Sequence, residues 1–344
     1  MKDVIIWDVC YISALHLSIP SAKKLFLSDL NLEAVKIDAP GLEELHIGSI
    51  MLHDVELSNS FELNTGKLQK LDIMELGEHT PISLRDMHNL LYSNPGLKVL
   101  EIECFDIAKL EITDEMCPAV TELSITGCAS DYCISCYHLR YLDIKGDCID
   151  PDVYDKQRCI SVSGHELQTL EIHQLPNLVN IKLFCSKISS FSLCENDFGD
   201  NVSIPKHQTR FILGQETAIG SFMITNIKPE RIDCSLKNEI IDFRLNNCHL
   251  TDDELTTLIS NDLAIKNLTL LKCDELKCLS LENTSLEDII ISRCDSLQEF
   301  SLECPLLKSL RLKANKLLDE MVEMKEVIAT MKKKYPLLKV YLIP

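Results

Sequence analysis

Between Ile265 and Asn315 the chain states one short pattern five times. Apolar-x-x-apolar-x-apolar begins at Ile265, Leu276, Leu286, Leu297 and Leu307, in steps of 11, 10, 11 and 10 residues. Two statements make a unit of 21 residues, and Cys273, Cys294 and Asn315 close alternate statements at the same offset. A repeat this short constrains the fold more than any other feature. One unit cannot bury its apolar face alone, so neighbouring units must stack. The last two apolar residues of each statement sit at i and i+2, on the same side of a strand. Ten residues do not hold a strand plus a helix, so the spacing predicts two short parallel strands per coil, on opposite walls of an α/β solenoid.

The same half-repeat runs near the start, at Ile12/Leu15/Leu17, Ala22/Leu25/Leu27, Leu32/Val35/Ile37, Leu42/Leu45/Ile47 and Leu52/Val55/Leu57. It returns at Leu97/Leu100/Ile102, Val120/Leu123/Ile125, Leu167/Leu170/Ile172, Ile219/Phe222/Ile224 and Ile240/Phe243/Leu245. A single solenoid over residues 1–344 is therefore expected. Such a stack escapes the size at which one compact core stops growing. Longer steps predict helical coils near 81–93, where Leu84, Met87, Leu90 and Leu91 have helical spacing and Ser83 stands at the cap, and near 250–260. A C-terminal cap helix is expected over 316–335, carried by Leu317, Leu318, Met321, Met324, Val327, Ile328 and Met331 and ended by Pro336. Two stretches lose the pattern, near 146–164 and 195–208, and are expected as irregular loops.

Charge narrows the function classes. The chain has 34 Lys+Arg against 53 Asp+Glu, a net charge of −19, which argues against broad contact with the phosphates of a nucleic acid. It favours solubility and a basic or mixed-charge partner. No run of about 18 uncharged apolar residues spans a membrane, and the first residues show no apolar core of a signal peptide. The sixteen cysteines are spread through a large chain, as reduced thiols are in a cytoplasmic protein.

The fuller pattern L-x-x-L-x-L-x-x-N/C is carried by Ile265/Leu268/Leu270/Cys273, Leu286/Ile289/Ile291/Cys294 and Leu307/Leu310/Leu312/Asn315, and also by Val120/Leu123/Ile125/Cys128 and Ile240/Phe243/Leu245/Cys248. In this the chain resembles leucine-rich-repeat proteins. The stretch from Cys248 to Leu255 is similar to the cysteine-containing subclass found in the repeat arms of F-box ubiquitin-ligase receptors. The resemblance implies a curved solenoid with a parallel sheet on its concave wall and a non-catalytic role in binding another protein. Most coils here are pairs of half-repeats, not one strand plus one helix, and no F-box-like helical segment precedes the first strand-like run near Val4. A substrate-recognition arm or adaptor of a ubiquitin ligase, or a host-directed effector, are the narrower alternatives.

If the strands face as the pattern says, the outward positions of the alternate statements are Arg244, Thr269, Ile290 and Arg311, with Met223 extending them. That strip mixes cations and apolar groups, as protein contact surfaces do. Glu101 and Glu111 occupy the outward positions of two successive units, and on one wall they would start an acidic stripe for a basic segment. Cys133-x-x-Cys136, with Cys128, His138 and Cys148 nearby, is a single pair where zinc modules carry two, and Cys128 is already explained by the repeat. A zinc-binding module is thus the weakest alternative, and neither metal nor cofactor is expected. H-E-x-x-H, G-x-S-x-G, the P-loop and the dinucleotide fingerprint are all missing from the sequence, so no catalytic residue is assigned.

Overall fold

A computed structural model describes residues 3–9, 14–32, 34–48, 50–52, 61–77, 84–146, 157–175, 177–194, 208–234, 238–259, 263–315 and 324–343. The chain packs as two compact units, Met1–Glu166 and Leu167–Pro344. Each is a solenoid of parallel strands. Among the described residues no helix is long and apolar enough to cross a membrane.

In the first unit one wall is formed by Asp3–Val9, Lys24–Leu32, Glu44–Ile47, Lys70–Gly77, Val99–Thr113 and Glu122–Ser135, each paired in parallel with the next. The second wall is a separate sheet of Ala14–Ser18, Ala34–Asp38 and Phe61–Asn64. The half-repeats thus become two strands per coil. Their apolar pairs, such as Leu25/Leu27, Leu45/Ile47 and Leu100/Ile102, are buried. A coil that advances from Lys70 to Val99 has room for a helix, α1 (Leu84–Ser93), which buries Met87, Leu90 and Leu91.

Two strands of this unit are long. Val99–Thr113 and Glu122–Ser135 continue through a corner without ending. Their register slips between Gly127 and Ala129, which pair with Cys104 and Ile107, the signature of a bulge. Gly127 sits at φ +110°, and a Cβ there would lie 1.9 Å from the Cys104 carbonyl oxygen, so only glycine fits. The buried Tyr132 hydroxyl completes the corner: it accepts from the Ala129 N–H (2.9 Å) and donates to the Gly127 carbonyl (3.1 Å). Burial pushes its pKa up, so it stays a neutral donor.

In the second unit the main wall is Thr169–His173, Lys187–Cys194, Ala218–Thr225, Glu239–Asn246, Ala264–Leu271, Asp288–Ser292, Ser309–Lys313 and Lys339–Ile343, paired in that order. Behind it the core forms aligned columns: Phe191, Phe222 and Phe243 continue into Leu268, Ile289 and Leu310. Phe191 and Phe222 stack at 4.6 Å, and Phe211 meets Phe222 edge-on at 5.1 Å, both favourable ring geometries. The second wall changes type along the unit. Leu178–Cys185, Gln208–Leu213 and Lys228–Asp233 are strands, α2 (Asp252–Leu258) follows, then Cys278–Glu282 and Glu299–Glu303, and last α3 (Met324–Lys334).

α2 starts where its sequence directs. The Glu254 carboxylate accepts from both the backbone N–H and the hydroxyl of Thr251 at 2.9 Å, a T-x-x-E start signal. Partial burial pushes Glu254 up. The hydrogen bonds from Lys228 and Thr251 outweigh that and hold it below the usual carboxylate range. Asp252 accepts from the backbone N–H groups of Lys277 and Cys278, both at 2.8 Å, which ties the helix to the following strand.

One expectation changes in detail. Residues 146–164 are not all loop, because Arg158–Gly164 is a strand paired with Asp131–Ser135. Its apolar signal is only Ile160 and Val162, both fully buried, and a fully buried Arg158 precedes them. The helical coils are seen as α1 and α2 and the cap helix as Met324–Lys334, with Ile328 and Met331 buried. Ser83, residues 316–323 and nearly all of the expected loop at 195–208 lie outside the described residues.

Candidate functional site

Every fully described strand-to-corner step of the second unit's main wall, from Ala218–Thr225 onward, ends in one way. The residue after the strand takes a left-handed conformation: Asn226, Asn247, Lys272, Arg293 and Ala314, at φ between 50 and 58°. Its N–H donates to the carbonyl at the end of the next strand, as from Asn247 to Leu271 (2.8 Å), Lys272 to Ser292 (2.9 Å) and Arg293 to Lys313 (3.0 Å). Asparagine adopts this conformation readily, whereas lysine, arginine and alanine pay about 1 kcal/mol or more. The repeated hydrogen bond offsets that cost.

The next position closes the corner from inside. Cys248 is buried and its thiol donates to the Ile224 carbonyl (3.5 Å). Burial pushes its pKa up to about 12. For Cys273, a hydrogen bond with the adjacent Cys294 thiol and then burial push the pKa up. In the last coil Asn315 takes the role with two bonds: Nδ2 donates to the Ile291 carbonyl (3.0 Å) and Oδ1 accepts from the Cys294 N–H (3.0 Å). Cys248 and Cys273 are protonated, packed corner residues.

Because the corners match, outward side chains fall into straight columns. Met223 pairs with Arg244, Arg244 with Thr269, Thr269 with Ile290, Ile290 with Arg311, and Arg311 with Tyr341. The five residues picked from the second unit's sequence are therefore one row. Tyr341, which continues it, was legible as the outward residue of Leu337-x-x-Val340-x-Leu342 but was not picked. Arg244, Arg311 and Tyr341 are exposed and the residues between them half-buried. The Arg311 guanidinium lies 5.8 Å from the centre of the Tyr341 ring, a cation–π distance that orients it.

The row's cations carry no carboxylate, as is also true of Lys182, Lys187, Lys277, Lys332, Lys333 and Lys339 among the described residues of the unit. Six cations of the unit are matched by carboxylates elsewhere: Arg210 and Arg231 by Asp233, Lys228 by Glu254, Lys266 by Glu239, Lys308 by Glu287, and Lys334 by Glu303. Along the row and its corner, Arg244, Lys272, Arg293, Arg311 and Lys313 are exposed and make no ion pair among the described residues. Asp242 and Asp288 stand one column away, in register with Asn267 and Ser309, and Asp242 accepts from Asn267 at 2.5 Å.

The acidic residues of the first unit are arranged differently. Glu101 and Glu111 do not share a row. They lie on the two arms of the bent strand, Glu101 between Asp72 and Ser124 and Glu111 beside Cys133. Each already has a cation, Glu101 from Lys70 (2.7 Å) and Glu111 from Lys109 (2.9 Å). Asp72 pairs with His46 (2.9 Å), whose ring stacks on Phe26 at 4.3 Å. A shallow hollow of about 250 Å³ is lined by Asp72, Met74, Glu101, Glu103 and their neighbours. Cys133 and Cys136 leave the chain on opposite sides: Cys133 is aligned with Glu111 and Ser161, while Cys136 is buried and its thiol donates to the Ile112 carbonyl (3.7 Å). His138 is engaged by Glu166 at 3.2 Å. The side chain of Cys128 and the whole of Cys148 lie outside the described residues.

Comparison with known proteins agrees with this geometry. Residues 214–340 match the family model described as At1g61320/AtMIF1, LRR domain, a range that holds the row from Met223 to Arg311 and reaches the strand that carries Tyr341. A search of curated proteins finds no match to the chain. Over residues 214–340 the chain is similar to a leucine-rich-repeat domain.

Proposed function

We propose that this protein is a non-catalytic scaffold that holds another protein on the row Met223, Arg244, Thr269, Ile290, Arg311 and Tyr341. Leucine-rich-repeat domains typically bind other proteins, and solenoids of this type are typically binding scaffolds and not enzymes. The observation that carries the reading is the row itself, a straight line in which two arginines without ion pairs stand among Met223, Thr269, Ile290 and Tyr341. Arginine and tyrosine are enriched at protein interfaces, and rigid strands hold them at fixed spacing. The buried thiols at the corners support a reducing, cytoplasmic setting. In the first unit Glu101 and Glu111 serve their own lysines, which ranks that surface second.

The test is affinity capture from the soluble extract of the native cell, with the full chain and an Arg244→Glu, Arg311→Glu variant as parallel baits and mass spectrometry as the readout. A protein enriched on the parent and lost from an equally stable variant is the expected result. Equal capture by both baits, or no specific capture by the parent, contradicts the reading.

A further inference from the structure

The row also specifies what it binds, and this inference rests on the reading that the row is the binding surface. We propose that its ligand is an extended acidic peptide segment of the partner, with two carboxylates four residues apart and an apolar side chain midway between them. Arg244 and Arg311 are three strand steps apart, through Thr269 and Ile290. Adjacent strands are about 4.8 Å apart, so the two guanidinium positions are separated by about 14 Å. An extended chain rises about 3.3 Å per residue, which sets side chains i and i+4 about 13 Å apart on the same face. Residue i+2 then falls over the gap between Thr269 and Ile290, the apolar middle of the row.

Charge selects the sign. In a chain of net charge −19, carboxylates pair with Lys266, Lys308 and Lys228 in this same unit, yet Arg244, Arg311, Lys313, Lys272 and Arg293 stand without one among the described residues. Like charges on one face repel each other and gain from an external anion. Arg311 keeps its N–H edges available while Tyr341 holds its face, the arrangement that suits fork-like recognition of a carboxylate. The neighbouring column decides against a uniformly charged polyanion. Asp288 stands two residues from Ile290 on the same strand, so a continuous phosphate chain passes it in the middle of the row, whereas carboxylates at i and i+4 lie at the two ends.

The experiment measures fluorescence anisotropy of a labelled, capped peptide containing Glu-Ser-Leu-Ser-Glu titrated with the full chain. Comparison probes are the Gln-Ser-Leu-Ser-Gln and Lys-Ser-Leu-Ser-Lys peptides, a peptide with the glutamates adjacent, and a single-stranded oligonucleotide. The acidic peptide is expected to bind at least about tenfold more tightly than each of these, to lose at least about tenfold on Arg244→Glu, Arg311→Glu, and to weaken with salt. The Lys peptide is expected to gain on the double variant. Equal binding of the adjacent-glutamate peptide or of the oligonucleotide marks a generic anion patch and overturns the proposal. So does the absence of binding by the acidic peptide. In either case the capture experiment decides separately whether the row is a protein-binding surface: a partner lost from the double variant but not displaced by the acidic peptide leaves the scaffold standing and removes only the peptide class.

Discussion

The two units turn their corners differently, and the difference governs which surface can present an ordered set of side chains. In the second unit each main-wall strand from Ala218–Thr225 to Ser309–Lys313 stops at a left-handed residue whose N–H binds the next coil. A buried cysteine or asparagine seals the inside in four of these coils and Ile227 does so in the first. The register passes from coil to coil without slipping between Phe243/Arg244 and Leu310/Arg311. In the first unit the long strands bend through the corner instead, and a bulge at Gly127 absorbs the mismatch. Val99–Thr113 carries Glu101 on its first arm and Glu111 on its second, so the bend of that strand parts them, while Arg244 and Arg311 align on straight strands. A regular corner gives a regular wall, and a regular wall can be read as a binding row.

Substitutions that break the shared core should have the largest effect. Leu268 and Ile289 are paired and fully buried. Leu268→Asp or Ile289→Asp places a carboxylate where no partner exists, at an expected cost of about 4 kcal/mol or more. A thermal melt that matches the parent for either variant would show the strand register to be wrong.

Gly127→Ala attacks the first unit's corner alone. The added methyl meets the Cys104 carbonyl at 1.9 Å in a conformation that L-residues avoid, and an expected loss of about 3 kcal/mol follows from strain and clash together. The same substitution would be mild if the bulge were a soft loop, and denaturant unfolding separates the two cases.

The seals compare the two corners directly. Asn315→Ala leaves the Cys294 N–H and the Ile291 carbonyl without their partner, and Tyr132→Phe does the same to the Ala129 N–H and the Gly127 carbonyl. Each should cost about 2 kcal/mol. Amide hydrogen exchange should rise at Cys294 in the first variant and at Ala129 in the second. Exchange that stays slow would mean that the corner backbone has another partner. The smallest effect belongs to Arg244→Glu with Arg311→Glu, which should leave stability within about 0.5 kcal/mol per site, because both side chains are exposed and unpaired. A larger drop in melting temperature would show that the row is structural.

Much of this was legible in the sequence, and the reason is periodicity. Steps of 21, 25, 21 and 21 residues keep Met223, Arg244, Thr269, Ile290 and Arg311 at one offset within their patterns, so a strand period of two was enough to place them on one side. Paired half-repeats likewise announced two strands per coil. The corners were harder to read. Asn226 and Asn247 suit a left-handed turn by chemistry, but Lys272, Arg293 and Ala314 do not, and only the repeated carbonyl acceptor holds them there. The cations Lys272 and Arg293 were therefore missed as neighbours of the row. Arg158–Gly164 was missed because two buried residues make too short an apolar signal for a strand. Glu101 and Glu111 are ten residues apart, one half-repeat, and because half-repeats alternate between walls the two carboxylates fall on different arms of one bent strand.

The central claim is that one particular wall of the second unit carries the partner. A photo-crosslinking residue introduced at Thr269, inside the row, and separately at Ser301, on the strand Glu299–Glu303 of the other wall, tests it in native extract. The account predicts a specific crosslinked protein from position 269 and none from position 301. A partner crosslinked from position 301 and not from 269 would place binding on the opposite wall and contradict it.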